Sequence, residues 1–146
     1  MASRTLKQVL TIAGSDSGGG AGIQADIKSM SANGVFAMSV ITAVTAQNTE
    51  DVSDVFELPT SIIASQLDAV FDDFDVAAVK TGMLSSTAVV ELVAKMLAIQ
   101  KVANLVVDPV MISKSGHALL KPDAIDAVKK LLFPLALVVT PNIHEA

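Results

Sequence analysis

Short apolar runs alternate along the chain with segments whose apolar residues recur every three or four positions. The runs are rich in β-branched residues and end at Gly, Pro or Asp, which is typical of buried strands in a parallel sheet. They cover residues 9–13, 35–46, 52–58, 76–79, 105–107 and 135–139. Only the run over 52–58 alternates apolar and polar side chains, so it predicts a half-exposed strand.

Helical periodicity fills the intervals between these runs. The first predicted helix spans residues 22–33 and ends at Asn33-Gly34, a common helix stop. The apolar faces of the next three comprise Ile63, Leu67, Val70, Phe71 and Phe74; then Val89, Val93, Met96 and Leu97; then, after Pro122, Ile125, Val128 and Leu132. Alternating strands and helices predict an α/β fold of three layers, with a mainly parallel sheet covered by helices on both faces.

Composition narrows the class of protein. Hydrophobic residues make up 51% of the 146 residues and charged residues 17%, which excludes a disordered chain. The absence of cysteine excludes a disulfide scaffold. The net charge of −5 and the lack of Tyr and Trp argue against nucleic acid as a partner. No apolar run reaches membrane-spanning length and the first residues do not resemble a signal peptide, so we expect a cytoplasmic protein without a membrane partner.

The chemistry-bearing residues fall where predicted strands end, which is where ligands bind in parallel α/β folds. A glycine-rich loop, residues 14–22, joins the first strand to the first helix, where glycines let a ligand approach the backbone. Residues 20–25 also fit the loose dinucleotide pattern G-x-G-x-x-A, and a flexible turn is the alternative. Asp26 follows, and we expect it in the first turn of the helix, where the helix dipole by itself explains a carboxylate.

Amide and thioether side chains end two further strands. Gln47 and Asn48 pair a donor with an acceptor, as the edge of an aminopyrimidine requires. Met83, in the segment Lys80-Thr81-Gly82-Met83, can lie against a flat heterocycle, although a lone methionine usually belongs to the core.

Carboxylates end the last two strands. Asp108, before Pro109, suits Mg²⁺ with nucleotide phosphates, and a turn-forming Asp-Pro pair is the alternative. Asn142 and Glu145 have the spacing of a capping box and predict the start of a helix. The two histidines have no metal-ligand spacing, which argues against a zinc site.

Together these motifs resemble the hydroxymethylpyrimidine/phosphomethylpyrimidine kinases, thiamine-pathway enzymes of the ribokinase-like superfamily. The matching segments are GSDSGGGAGIQAD at 14–26, AQNT at 46–49, KTGML at 80–84, DPVM at 108–111, SKSG at 113–116 and TPNIHEA at 140–146. DPVM and TPN-x-x-EA also resemble pyridoxal kinases, whereas the glycine loop with IQAD, and GML, favour the pyrimidine enzymes. The resemblance implies a ribokinase-like fold, ATP and Mg²⁺ as cofactors, and a small pyrimidine as substrate.

The resemblance also implies roles for individual residues. The implied pyrimidine pocket comprises Gly14, Gly20, Gly22, Asp26, Gln47, Met83 and Val110; the implied nucleotide residues are Asp108, Lys114 and Asn142; and the implied metal carboxylates are Asp108 and Glu145. The glycine loop then belongs to the pyrimidine pocket and is not a phosphate cradle. The complete enzyme would transfer the γ-phosphoryl group of ATP to the hydroxymethyl group and then to the monophosphate.

One family segment has no match. The G-T-G-C or G-T-G-D segment of the family, which supplies the anion hole and the catalytic base, is missing from this sequence, and we expect both beyond Ala146. Residues 1–146 should then be the N-terminal part of a single ribokinase-like domain, incomplete at its C-terminus, with no catalytic residue and little kinase activity. An exposed apolar patch or sheet edge should result, occupied by another chain or prone to aggregation, and we also expect a homo-oligomer, a dimer. A pyridoxal or pyridoxine kinase and a non-catalytic pyrimidine-binding module remain the alternatives.

Overall fold

The computed structural model describes residues 5–111, 120 and 122–146. The strands are β1 (Gln8–Ala13), β2 (Phe36–Ile41), β3 (Ala43–Gln47), β4 (Val52–Glu57), β5 (Val76–Thr81), β6 (Leu105–Val107) and β7 (Val138–Val139). The helices are α1 (Gly22–Ala32), α2 (Thr60–Asp73), α3 (Thr87–Ile99) and α4 (Pro122–Ala127), the last continued by a π-helical segment, Val128–Leu132, and a 3₁₀ turn, Phe133–Leu135.

Five strands form one parallel sheet in the order β2-β1-β5-β6-β7. Thr11 of β1 bonds to Asp26 of α1, whereas Leu10 and Ile12 enter the core that α2 and α3 share. Because successive strand residues point to opposite faces, α1 covers one face of the sheet, and α2, α3 and α4 cover the other. The predicted α/β fold with a mainly parallel sheet is confirmed.

The core lies between the sheet and the layer of α2, α3 and α4. Its largest fully buried side chains are Leu10, Ile12, Val40, Ile63, Leu67, Val79, Leu84, Val89, Val90, Leu97, Leu105 and Leu132. Each such side chain contributes about 1.5–3 kcal/mol relative to an exposed position. The inward faces predicted for the helices therefore hold the layers together. Five of their residues are only partly buried and pack against the margin of this core: Val70, Phe71, Phe74, Met96 and Ile125.

The single strand predicted over residues 35–46 is wrong, because the chain turns at Thr42. The Thr42 N–H donates to the Ala13 carbonyl oxygen at 3.0 Å, and the Thr42 carbonyl accepts from the Leu58 N–H at 2.9 Å. These bonds turn the chain over the end of β1 and out of the parallel sheet. β3 then pairs antiparallel with β4, so that Thr45 lies opposite Val55.

The strand predicted over residues 135–139 is shorter than expected. Only Val138 and Val139 pair with β6, because Leu135 ends a 3₁₀ turn that contains Pro134. Proline has no N–H to donate to a neighbouring strand, and its ring favours the start of such a turn.

The exposed apolar side chains of the described residues include two neighbouring pairs. On the ribbon of β3 and β4, the paired Val44 and Phe56 are 47% and 66% exposed. At the β7 edge of the sheet, Leu137 and Val138 are 66% and 46% exposed. In the described part of the chain, no helix is both long and apolar enough to cross a bilayer.

Candidate functional site

A cavity of about 590 Å³ opens at the carboxyl ends of β1, β5 and β6. Its walls come from the glycine loop, the end of β3 with the turn after it, and the segment that follows β7. The residues nominated from the sequence that line it are Gly14, Gly20, Gly22, Asp26, Gln47, Met83, Asp108, Val110, Asn142 and Glu145. One nominated residue, Lys114, lies outside the described residues. The topology therefore brings together side chains that are more than a hundred residues apart in sequence.

The glycine loop is folded around the buried carboxylate of Asp16. Its Oδ1 accepts from the Gly18 N–H at 2.8 Å, and its Oδ2 accepts from the N–H groups of Gly20 and Ala21 at 2.9 and 2.8 Å. The Asp16 N–H donates in turn to Gln24 Oε1 at 2.7 Å. Because the protein itself satisfies these three N–H groups, the loop lines the cavity instead of offering them to a phosphate.

A close approach of the backbone requires glycine at position 22, at the junction of β1 and α1, and the side chain of Met83 lies close to Gly14. Gly22 has φ +57, and a Cβ there would lie 2.5 Å from the Gly14 carbonyl oxygen. That carbonyl accepts from the Ile23 N–H at 3.0 Å, which anchors the start of α1. A Cβ on Gly14 would lie 2.5 Å from Met83 Cε, so the missing side chain gives the thioether its place beside the end of β1.

Hydrogen bonds attach the end of β3 to the glycine loop. Ser17 Oγ donates to the Gln47 carbonyl oxygen at 2.6 Å and accepts from the Gln47 N–H at 2.7 Å. Thr45 Oγ1 donates to the Ser15 carbonyl oxygen at 2.8 Å. The neighbouring Asn48 uses its Oδ1 to accept two N–H groups of the following turn. Of the two amides predicted to read a ligand, Gln47 is therefore the one that is less committed to the backbone.

An ion-pair cluster lies at the base of the cavity. Lys80 Nζ is 3.0 and 3.1 Å from the two carboxylate oxygens of Asp26, and 3.5 Å from Asp108 Oδ2. Thr11 Oγ1 also donates to Asp26 Oδ2 at 2.6 Å. Asp26 is the fifth residue of α1 and thus beyond its first turn. Lys80 and Thr11, rather than the helix dipole, account for its carboxylate.

Asp108 and Glu145 lie at the other end of this cluster. Burial raises the pKa of the Asp108 carboxyl above 3.8; Lys80 opposes the shift, and the charges of Glu145 and Asp26 add to it. Glu145 Oε1 accepts from the Met111 N–H at 3.0 Å, and its Oε2 accepts from the Asn142 N–H at 3.1 Å. Asn142 Oδ1 accepts from the Glu145 N–H at 3.2 Å, so the two residues form the reciprocal bonds of a capping box.

Ala146 follows the turn that carries Glu145 and is not among the residues that line the cavity. Its N–H donates to the Asn142 carbonyl oxygen at 3.1 Å, beside the Glu145 N–H, which donates to the same oxygen at 3.0 Å. No residue of this chain was nominated as catalytic from the sequence. The catalytic base and the anion hole expected beyond Ala146 therefore stay a prediction.

The acidic residues of this cluster fit a magnesium ion better than a metal that needs a full set of protein ligands. Among the described residues, no group of three or more His, Cys, Asp or Glu side chains could hold a metal ion. Asp108 and Glu145 supply two carboxylates, and Glu145 already accepts one N–H on each oxygen. Mg²⁺ usually keeps several waters and binds through one or two carboxylates and substrate phosphates, so two carboxylates suffice.

Sequence reasoning missed Asp16, Thr11 and Lys80. A signal for Asp16 was present, since an Asp two residues before a Gly favours a side-chain turn to the backbone. Lys80 belongs to the matching segment KTGML, but the sequence gives no indication that it pairs with an aspartate 54 residues earlier in the chain.

Comparisons with known proteins agree on one family. The sequence profile described as phosphomethylpyrimidine kinase matches residues 16–146. The hydroxymethylpyrimidine/phosphomethylpyrimidine kinase of Haemophilus influenzae is 55% identical over 141 residues, which are 97% of this chain and 52% of the relative. The chain thus spans about half the length of the curated relatives it matches, and it corresponds to their N-terminal portion.

Solved structures give the same result. The crystal structure of phosphomethylpyrimidine kinase from Clostridium difficile 630 superposes with a TM-score of 0.90 at 55% identity, over 95% of this chain and 60% of that chain. An ADP complex of Bacillus subtilis pyridoxal kinase superposes with a TM-score of 0.87 at 40% identity, over 97% of this chain and 54% of that chain. The fold and the sequence therefore point to the same group of vitamin kinases.

Proposed function

Because the chain belongs to the phosphomethylpyrimidine kinase family, we propose that residues 1–146 form the N-terminal part of one ribokinase-like domain. The activity of the whole protein is then ATP-dependent phosphorylation of 4-amino-5-hydroxymethyl-2-methylpyrimidine and of its monophosphate, with the base and the anion hole supplied by residues beyond Ala146. The observation that carries this proposal is the cavity that all the described nominated residues share.

The chemistry of one wall of the cavity supports a pyrimidine as the ligand. The Asp26 carboxylate is an acceptor for an exocyclic amino group, and the Gln47 amide offers both a donor and an acceptor to the ring edge. Met83 and Val110 line the same cavity with apolar surface, and a thioether packs well against a flat ring. Gly14, Gly20 and Gly22 line the same cavity with backbone atoms.

A second group of lining residues supports a nucleotide with its magnesium ion. Asp108 and Glu145 would hold Mg²⁺, and Asn142, whose side chain caps the turn that carries Glu145, fixes that turn. When bound, the ion would neutralise charge on the transferring phosphoryl group. The ADP complex of the Bacillus subtilis relative supports a nucleotide as cosubstrate. Lys114 remains a predicted nucleotide contact.

A pyridoxal kinase is the competing function, since the Bacillus subtilis relative bears that name. The pyrimidine enzymes share 55% identity with this chain and the pyridoxal kinase 40%, which favours the pyrimidine. The proposal also includes a cytoplasmic location, and a dimer in which a second copy covers exposed apolar residues such as Phe56 and Leu137.

Calorimetric titration of the 146-residue chain with hydroxymethylpyrimidine and with pyridoxal tests the proposal. We expect the pyrimidine to bind more tightly than pyridoxal. Gln47→Ala should weaken pyrimidine binding about two- to tenfold, the value of a lost neutral hydrogen bond. Gln100→Ala, which removes an exposed amide at the end of α3, is the matched control and should leave the affinity unchanged. Preferential binding of pyridoxal would reject the pyrimidine assignment.

A further inference from the structure

Lys80 is the only cation among the described residues that line the cavity, and six acidic residues line it as well. It stands on β5, the central strand of the parallel sheet, next to Thr11 in the register of β1 and β5. Its side chain is only 20% exposed. Among the described lining residues, Lys80 alone therefore offsets the negative charge of the cavity.

The two carboxylates that Lys80 contacts at the base of the cavity have different proposed ligands. Both oxygens of Asp26, on the pyrimidine side, lie within 3.1 Å of Nζ. Asp108, on the nucleotide side, lies at 3.5 Å and is more exposed, at 34% against 18% for Asp26. The contact with Asp26 is therefore the closer and more buried of the two.

Asp26 is held in a single orientation by these contacts. Its Oδ2 accepts from both Thr11 and Lys80, and its Oδ1 accepts from Lys80 alone, which leaves acceptor capacity on Oδ1. A carboxylate fixed in this way loses little conformational freedom when a ligand donates to it. Without Lys80, the carboxylate would face the other acidic side chains of the cavity with only the Thr11 hydroxyl to hold it.

At Asp108, the charge of Lys80 opposes the binding of a ligand, because the expected ligand is a cation. A divalent cation that binds this carboxylate must approach the ammonium group of Lys80, which is 3.5 Å away and repels it. In the absence of a metal ion, the same ammonium group screens Asp108 from Asp26 and Glu145. The charge of Lys80 thus favours a ligand at Asp26 and disfavours a metal ion at Asp108.

We propose that Lys80 is a positioning residue that fixes Asp26 for the pyrimidine and screens Asp108 until a divalent cation takes its place. This inference rests on the proposed function for the identity of the pyrimidine and for a divalent cation at Asp108. It predicts that removal of the charge changes the two affinities in opposite directions, whereas a lysine that only stabilises the fold would weaken both or neither.

The test compares Lys80→Met with Lys95→Met, which removes an exposed lysine of α3 that does not line the cavity. Mn²⁺ is titrated as the metal probe by electron paramagnetic resonance, and hydroxymethylpyrimidine by calorimetry. We expect Lys80→Met to bind Mn²⁺ about fivefold more tightly and the pyrimidine about fivefold more weakly than the wild type, as a partly exposed ion pair allows. Lys95→Met should leave both affinities unchanged, and Lys80→Arg should keep the wild-type affinity for Mn²⁺.

Equal Mn²⁺ affinities for Lys80→Met and the wild type overturn the inference, as does the absence of Mn²⁺ binding by both. If the wild type binds the pyrimidine, an equal pyrimidine affinity of Lys80→Met also overturns the inference. A wild type that binds no pyrimidine contradicts the proposed function instead, and the Mn²⁺ titration then decides on Lys80 by itself. If Lys80→Met does not fold, Lys80→Gln replaces it, and the Mn²⁺ affinity then decides, because the glutamine removes the charge while its amide can still donate to Asp26.

Discussion

The Asp16 carboxylate should contribute more to the free energy of unfolding than any exposed aspartate, and its removal tests how the glycine loop is held. Asp16 is 4% exposed and accepts three backbone N–H groups at 2.8–2.9 Å. In Asp16→Asn, one of the two acceptor oxygens becomes an NH₂ group. Whichever way the amide is oriented, a donor then faces at least one backbone N–H of the loop.

The magnitude follows from the number of bonds and from the access of water. A hydrogen bond to a charged group contributes about 1.5–3 kcal/mol, so three additive bonds would give about 4.5–9 kcal/mol. Gly18, Gly20 and Ala21 are exposed, however, so water replaces part of each lost bond. We therefore expect Asp16→Asn to lower the free energy of unfolding by about 2–3 kcal/mol.

Urea denaturation followed by far-ultraviolet circular dichroism measures this loss. Asp72→Asn, an exposed position on α2, removes the same charge and should change the free energy of unfolding by no more than about 0.5 kcal/mol. Pyrimidine binding should weaken in Asp16→Asn at a temperature where the variant is still folded, because the loop forms a wall of the cavity. An Asp16→Asn variant as stable as Asp72→Asn would refute the assigned role of the carboxylate.

Two further substitutions test the backbone and the charge of the site. Gly22→Ala should lower the free energy of unfolding by about 2–4 kcal/mol, measured by thermal or urea denaturation, because the strain of its positive φ adds to the clash with the Gly14 carbonyl. The control Gly34→Ala has φ +76 with nothing within 4 Å of the added Cβ, so it should lower that free energy by only about 1 kcal/mol. Equal losses in the two variants would contradict the clash. Burial raises the pKa of Asp108, so the folded chain binds a proton there more readily than the unfolded chain, and stability is lost as the pH rises above 3.8. Asp108→Asn should accordingly be more stable than the wild type near pH 7 and lose that advantage in acid, whereas a constant difference from about pH 3 to pH 7 would contradict the shift.

The layers of the fold could be predicted because they depend on periodic burial. The faces of α2 and α3 that carry Ile63 and Val89 pack as their spacing predicts. The break at Thr42 could not be predicted, because no Gly or Pro interrupts the apolar residues around it. It depends on hydrogen bonds to Ala13 and Leu58, which only the assembled sheet brings close.

The site could be predicted to a similar extent and for a related reason. The sequence indicates which side chains follow each strand, and the parallel sheet brings those strand ends to one edge, as for Asp26 and Asp108. It does not indicate which charges pair across that edge. Lys80 follows an apolar run and precedes a Thr-Gly turn, so its role becomes visible only when β5 lies beside β1.

The position of β1 between β2 and β5 also has a consequence for the timing of synthesis. β1 can pair with β2 as soon as residue 41 has emerged, but its other edge waits for β5, and Asp26 waits for a lysine 54 residues further along the chain. Residue 81 follows residue 41 by 40 residues, so at about 5–20 residues per second this delay is roughly 2–8 s. During that interval, the nascent chain presents an unpaired strand edge beside an uncompensated carboxylate. Translation pauses between residues 41 and 76 should therefore promote misassembly, whereas pauses after residue 81 should have little effect on this half of the sheet.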